Sequence, residues 1–151
     1  MLDEIDMVPW AACREPVSSV SHFLGSAAFA VYTVVMMLRG RGSRTRMLSL
    51  GLMSYATIQT LLLSGLYHMS WPGPWRDFLL RADIAGIFVL EAGSLTPVHA
   101  ILFRGRARWF PISLYWVGAA LGVILRMAYF DHVSSFVGIA LFLAAGWGSA
   151  A

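Results

Sequence analysis

The stretch VSSVSHFLGSAAFAVYTVVMML, residues 17–38, holds no Asp, Glu, Lys or Arg; RGRGSRTR, residues 39–46, follows it with four arginines and no large apolar residue. A bilayer core is about 30 Å thick, so a helix that crosses it needs about 20 apolar residues. Residues 17–38 meet that need, and the arginine run ends the segment abruptly. Pro16 precedes them at a first-turn position, where its missing N–H leaves no bond unmade. Together the two stretches predict a membrane-spanning helix that emerges into a basic loop.

The same pattern recurs along the chain. Residues 47–68 form a second apolar run, and WPGPWRD (71–77) follows as a turn rich in proline and glycine. A third run covers 79–103, with Pro97 expected to kink its last turns. FRGRARW (103–109) is a second arginine-rich loop. Further runs cover 110–129 and 133–149, the last with an apolar core of only 133–147. The fold class is therefore all-α, an integral membrane helical bundle of about five transmembrane helices forming a single domain over 1–151. The runs are continuous and of helix length, not short and alternating, which excludes a β-barrel. Trp10, Trp71, Trp75 and Trp109 fall at predicted span ends, where an amphipathic ring is best placed.

Composition agrees. Of 151 residues, 58% are hydrophobic and 13% charged, against about 25% charged in soluble domains; mean hydropathy is +0.69. A soluble enzyme and a disordered chain are excluded. The net charge of +3 comes with no lysine, and seven of the eleven arginines lie in the two loops at Arg39, Arg41, Arg44 and Arg46, and at Arg104, Arg106 and Arg108. Nucleic-acid binding would need them on one solvated face, so no nucleic-acid partner is expected. If each span crosses once, both loops share a side, and the positive-inside rule makes that side cytoplasmic. Cys13 is the only cysteine, so neither an internal disulfide nor a CxxC metal site is possible. The acidic N-terminus lacks the basic region of a signal peptide.

Ionisable groups inside the spans cost about 2.5–3.5 kcal/mol each on insertion scales. Glu15, Ser18, His22 and Ser26 recur at helical spacing on one face of the first span. Ser64 and His68, four apart, share a face at the end of the second. Asp83 opens the third, and Glu91 lies two turns deeper. The start of span one, the end of span two and the start of span three lie on one side of the membrane, so His22, His68 and Asp83 can meet at one depth. Two imidazoles and a carboxylate suit zinc, which would activate water for hydrolysis. The plainer reading has these groups capping helices or bonding between them, and reads Glu91 as an interhelical hydrogen-bonding group. His99 is expected at the interface, and His132 in a turn. Gly25, Gly51, Gly86, Gly93, Gly118 and Gly122 are expected where helices pack closely, with Gly118-x-x-x-Gly122 in the small-xxx-small spacing.

These residues also form motifs. Glu15-Pro-Val-Ser-Ser-Val-Ser-His22, with Gly25 beyond it, resembles the first-span motif of the hemolysin III family. Ser64-Gly-Leu-Tyr-His68 resembles the second-span motif. Asp83-Ile-Ala-Gly86-Ile-Phe, with Ala92-Gly93-Ser-Leu-Thr96-Pro97, resembles the third. The resemblance runs over residues 14–147 and extends to the progestin and adipoQ receptors and the alkaline ceramidases. It implies a seven-span bundle with an intramembrane zinc. His68 would be a zinc ligand, Asp83 would orient the metal-bound water, and Ser64 would accompany them. The other two ligands of that family are an HxxxH pair in the last span. This sequence contains no HxxxH and reads as lacking the last two spans, with His22 as a substitute ligand. Helix faces left uncovered would then favour self-association in detergent. The receptors place the N-terminus in the cytoplasm; the arginine bias implies the reverse.

The leading functional expectation is a zinc-dependent hydrolase of a lipid amide or ester, in the inner (plasma) membrane of a bacterium, with membrane lipids as partners and substrates. Asp83 and Ser64 would be catalytic, and His68, Asp83 and His22 would hold the metal. The alternatives are a pore-forming, hemolytic protein or a receptor-like one without activity of its own.

Overall fold

The computed structural model describes residues 13–132 and, beyond them, residues 136, 140 and 143. Apart from those last three residues, the fifth expected span lies outside the described residues, as do Trp10 and Trp147. Four long helices follow one another: α1 (Pro16–Gly40), α2 (Arg44–Met69), α3 (Pro74–Leu102) and α4 (Arg106–Ala128), with a short 3₁₀ turn at Phe130–His132. No strand occurs among the described residues. All four helices are long and apolar enough to cross a membrane.

Each of the first four expected spans is found, and every one of these helices begins before its apolar run. α2 starts three residues early because the Ser43 hydroxyl accepts a hydrogen bond from the Arg46 N–H at 3.4 Å. α3 starts five early, with Pro74 in its first turn. α4 starts four early, at Arg106. Apolarity marks the part of a helix that lies in hydrocarbon. Backbone bonding continues into the polar zone, where arginines reach water along their apolar stems. α3 is continuous through Pro97.

The connections are short, and Gly42 (φ 93°) and Gly105 (φ 60°) make the turns of the two arginine loops. Short connections make successive helices antiparallel neighbours. The main packing runs α1 on α2, α2 on α3 and α3 on α4. α3 is the most buried helix and α1 the least. Val17, Leu24, Val31 and Val34 on α1 are exposed, as lipid-facing side chains should be.

Lipid tails are as apolar as leucine, so close packing and hydrogen bonds hold membrane helices together. Both appear at each interface. Ser19 and Ser26 of α1 donate to the Gly65 and Ile58 carbonyls of α2, at 3.0 and 3.4 Å. Thr60 of α2 donates to the Gly86 carbonyl of α3 at 3.0 Å. Trp116 Nε1 of α4 donates to Thr96 Oγ1 of α3 at 3.0 Å. A Cβ on Gly93 would lie 2.5 Å from the Ala56 methyl, and one on Gly122 would lie 2.5 Å from the Phe88 ring. At Gly118, nothing among the described residues lies within 4 Å of an added Cβ. Among the described residues, only Gly122 of the small-xxx-small pair packs closely, against Phe88 of α3. Gly65, not singled out in the sequence, packs on Phe23 instead.

Candidate functional site

The site lies at the end of the bundle away from the arginine loops, where the entry to α1 meets the exit of α2. Two backbone bonds fasten them: Arg14 N–H to the Met69 carbonyl at 3.3 Å, and Glu15 N–H to the His68 carbonyl at 3.1 Å. Glu15 occupies the N-cap position of α1 but makes no side-chain cap bond. Its carboxylate is directed sideways. Oε2 accepts from His68 Nδ1 at 2.6 Å, and Oε1 accepts from Arg76 Nη2 at 2.9 Å. The Arg76 guanidinium also lies over the Tyr67 ring, 4.3 Å from its centre. Partial burial pushes the Glu15 carboxyl up. The bond from His68 and the charges of His68, Arg76 and Arg14 more than offset this and hold it below its ordinary value.

His22 lies one turn into α1. Its Nδ1 is 2.6 Å from the Ser18 carbonyl, and its ring stacks on that of His68 with centres 5.3 Å apart and planes 29° apart. A carbonyl or a carboxylate can only accept. Both Nδ1 atoms therefore donate, and in each neutral ring the lone pair is on Nε2. Asp83 of α3 is close by: the Ser64 hydroxyl is its hydrogen-bonding neighbour, and both imidazoles act on its carboxylate electrostatically. Ser64 is buried. The structure thus brings together all four residues singled out from the sequence: His22, Ser64, His68 and Asp83.

The fit of this group to zinc is partial. Ligating histidines characteristically donate their other ring N–H to a carboxylate or a backbone carbonyl, which fixes the tautomer; His68 and His22 show one case of each. Among the described residues, however, no group of three or more His, Cys, Asp or Glu side chains gathers closely enough to hold a metal ion. The imidazoles and Asp83 are neighbours, not a closed ligand set.

His99 lies in the last turn of α3, beside the second arginine loop, and is buried against the bundle: it stacks on Phe103 (5.1 Å) and lies against Tyr115 (5.6 Å). Neither of its ring nitrogens has a hydrogen-bond partner among the described residues. Glu91, expected to bond between helices, has Oε1 buried without such a partner. His132 lies in the 3₁₀ turn, as expected.

Sequence reasoning missed Arg76, which holds Glu15 from the far side, Tyr67, on whose ring Arg76 lies, and Ser19, whose hydroxyl ties α1 to α2. Arg76 had a signal: it is one of few cations at the end that also carries Glu15. It lies within a proline turn, where a charge reads as merely solvated.

Four apolar helices of spanning length, fastened by interhelical hydroxyl bonds, define a multi-pass integral membrane protein. A family model described as haemolysin-III related matches residues 10–150. The chain belongs to the haemolysin-III-related family. No solved structure matches it.

Proposed function

We propose that the protein is a metal-dependent hydrolase acting within the membrane on a lipid amide or ester, with its centre at His22, His68, Asp83 and Ser64. One observation carries this reading: two stacked imidazoles have their Nδ1 atoms fixed as donors, at 2.6 Å each, so that both Nε2 lone pairs are available beside a carboxylate. His68 and His22 would hold the zinc, with Asp83 as the third group, directly or through water. Bound zinc would supply Lewis acidity and lower the pKa of a water molecule.

The remaining roles belong to the chain's own groups. Asp83 is placed to accept a proton, and the Ser64 hydroxyl to orient its carboxylate. Glu15 keeps His68 in the Nδ1–H form, and Arg76 keeps Glu15 in place. The two amphipathic tryptophans of the turn, Trp71 and Trp75, are partly exposed at the same end of the bundle, at the level where lipid headgroups lie.

The pore reading has less support. The buried α1 serines, Ser19 and Ser26, point their hydroxyls into carbonyls of α2 and so serve packing.

The test is zinc content of the purified full chain, by elemental analysis, with His68→Ala alongside. About one zinc per chain, lost in His68→Ala at unchanged helicity, is expected. No zinc in either protein, both folded, would overturn the metal centre. Dye release from liposomes that persists in Asp83→Ala and after zinc removal would favour the pore instead.

A further inference from the structure

The arginine end of the bundle carries an apolar cleft with no part in the site above. It lies among α2, α3 and α4, with a volume of about 490 Å³, within the range of about 300–1,000 Å³ typical of small-molecule sites. Leu52, Ala100, Ile112 and Trp116 form its walls, and Thr45 and Trp109 line it where the helices begin. Thr45 stands between Arg44 and Arg46, and Trp109 follows Arg108. An apolar slot thus opens beside the two arginine loops.

Among the described residues, no acidic side chain pairs with those arginines. Arg39, Arg41, Arg44, Arg46, Arg104 and Arg106 are all exposed. Neither loop contains an acidic residue. The ion pairs found among the described residues involve Arg76, Arg81 and His68, all at the other end. Arg108 alone is engaged, donating to the Phe103 carbonyl at 2.9 Å and lying near the Trp109 ring.

We propose that this cleft is a binding site for one anionic phospholipid, its acyl chain in the slot and its phosphate held by arginines of the two loops. An acyl chain gains little from leaving lipid for an equally apolar slot, so the cleft sets position and the headgroup sets selectivity. Guanidinium forks match phosphate oxygens and are more weakly hydrated than ammonium groups. A zwitterionic lipid carries a compensating cation and is disfavoured among uncompensated arginines. The occupant follows from that charge complementarity and needs neither a metal nor any activity at the opposite end.

The test uses the full chain in detergent micelles containing equal amounts of phosphatidylglycerol and phosphatidylcholine, with bound lipid read by native mass spectrometry. One phosphatidylglycerol per chain should be retained in preference to phosphatidylcholine. Arg44→Gln with Arg46→Gln, and separately Arg104→Gln with Arg106→Gln, should lower the preference about fivefold per arginine engaged. Leu52→Trp, which fills the slot, should remove the one-to-one stoichiometry of retained phosphatidylglycerol. Phosphatidylglycerol with brominated chains should quench the fluorescence of the wild-type chain more than that of Trp109→Phe. Inorganic phosphate should displace nothing. Equal retention of the two lipids, unchanged preference in both arginine pairs, displacement by phosphate, or a lipid-free chain or dimer would each overturn the proposal. If Leu52→Trp fails to fold, the loop variants decide, since their side chains are exposed.

Discussion

The two ends of this bundle handle charge in opposite ways. At one end Glu15 is shared between His68 and Arg76, Arg76 lies on Tyr67, and Asp83 sits among Ser64 and two imidazoles. At the other, six exposed arginines stand without an acidic neighbour in their loops. Paired, partly buried charges hold one geometry and are screened little by salt; exposed ones act at a distance and are screened within about a Debye length. The first arrangement suits a site that must position atoms. The second suits recognition of a charged surface.

Substitutions can break this contrast. The largest effect is expected at Asp83. On the proposed hydrolase reading, Asp83→Asn keeps shape but removes the proton acceptor, and should lower any lipid hydrolysis about 10²–10⁴-fold; full activity would remove Asp83 from the chemistry. Glu15→Gln comes next. The amide cannot keep the charged bond to His68, so on the proposed metal-centre reading zinc affinity should fall about 10–100-fold in a competition titration, with Glu15→Asp recovering part of it.

A pH effect follows from the same carboxylate. Glu15 is held below its ordinary value of 4.5. A carboxyl lowered on folding contributes stability that is complete above the unfolded value and is lost as pH falls through the folded one. Thermal midpoints in detergent should therefore drop as pH falls below 4.5, and drop less in Glu15→Gln. The smallest effect is expected at the arginine end. Arg41→Gln should change stability by no more than about 0.5 kcal/mol in a detergent unfolding measurement. A loss of stability matching that of Glu15→Gln would erase the contrast between the ends.

The sequence revealed the spans because hydrocarbon thickness imposes a length that composition must meet; 17–38 and 47–68 both lie within the helices found. Helix starts were less visible. Ser43 and Pro74 extend α2 and α3 into polar sequence, where hydropathy carries no information. The convergence of His22, His68 and Asp83 followed from topology alone. The hydrogen bonds that choose their tautomers did not, because they depend on where Glu15 points, and an N-cap residue is expected to turn toward its own helix. Gly118 and Gly122 show a similar limit: spacing puts both on one face, but among the described residues only Gly122 meets a neighbour, the Phe88 ring.

The diverted Glu15 carboxylate carries a cost for helix α1. Serine or aspartate at an N-cap would satisfy an N–H that Glu15 leaves to other partners, a gain of about 1 kcal/mol. Selection for a sturdier helix would replace Glu15, and the replacement would release His68 and strand Arg76. The position is thus a point where durability and chemistry pull apart, and consensus-style stabilisation of α1 should leave it alone.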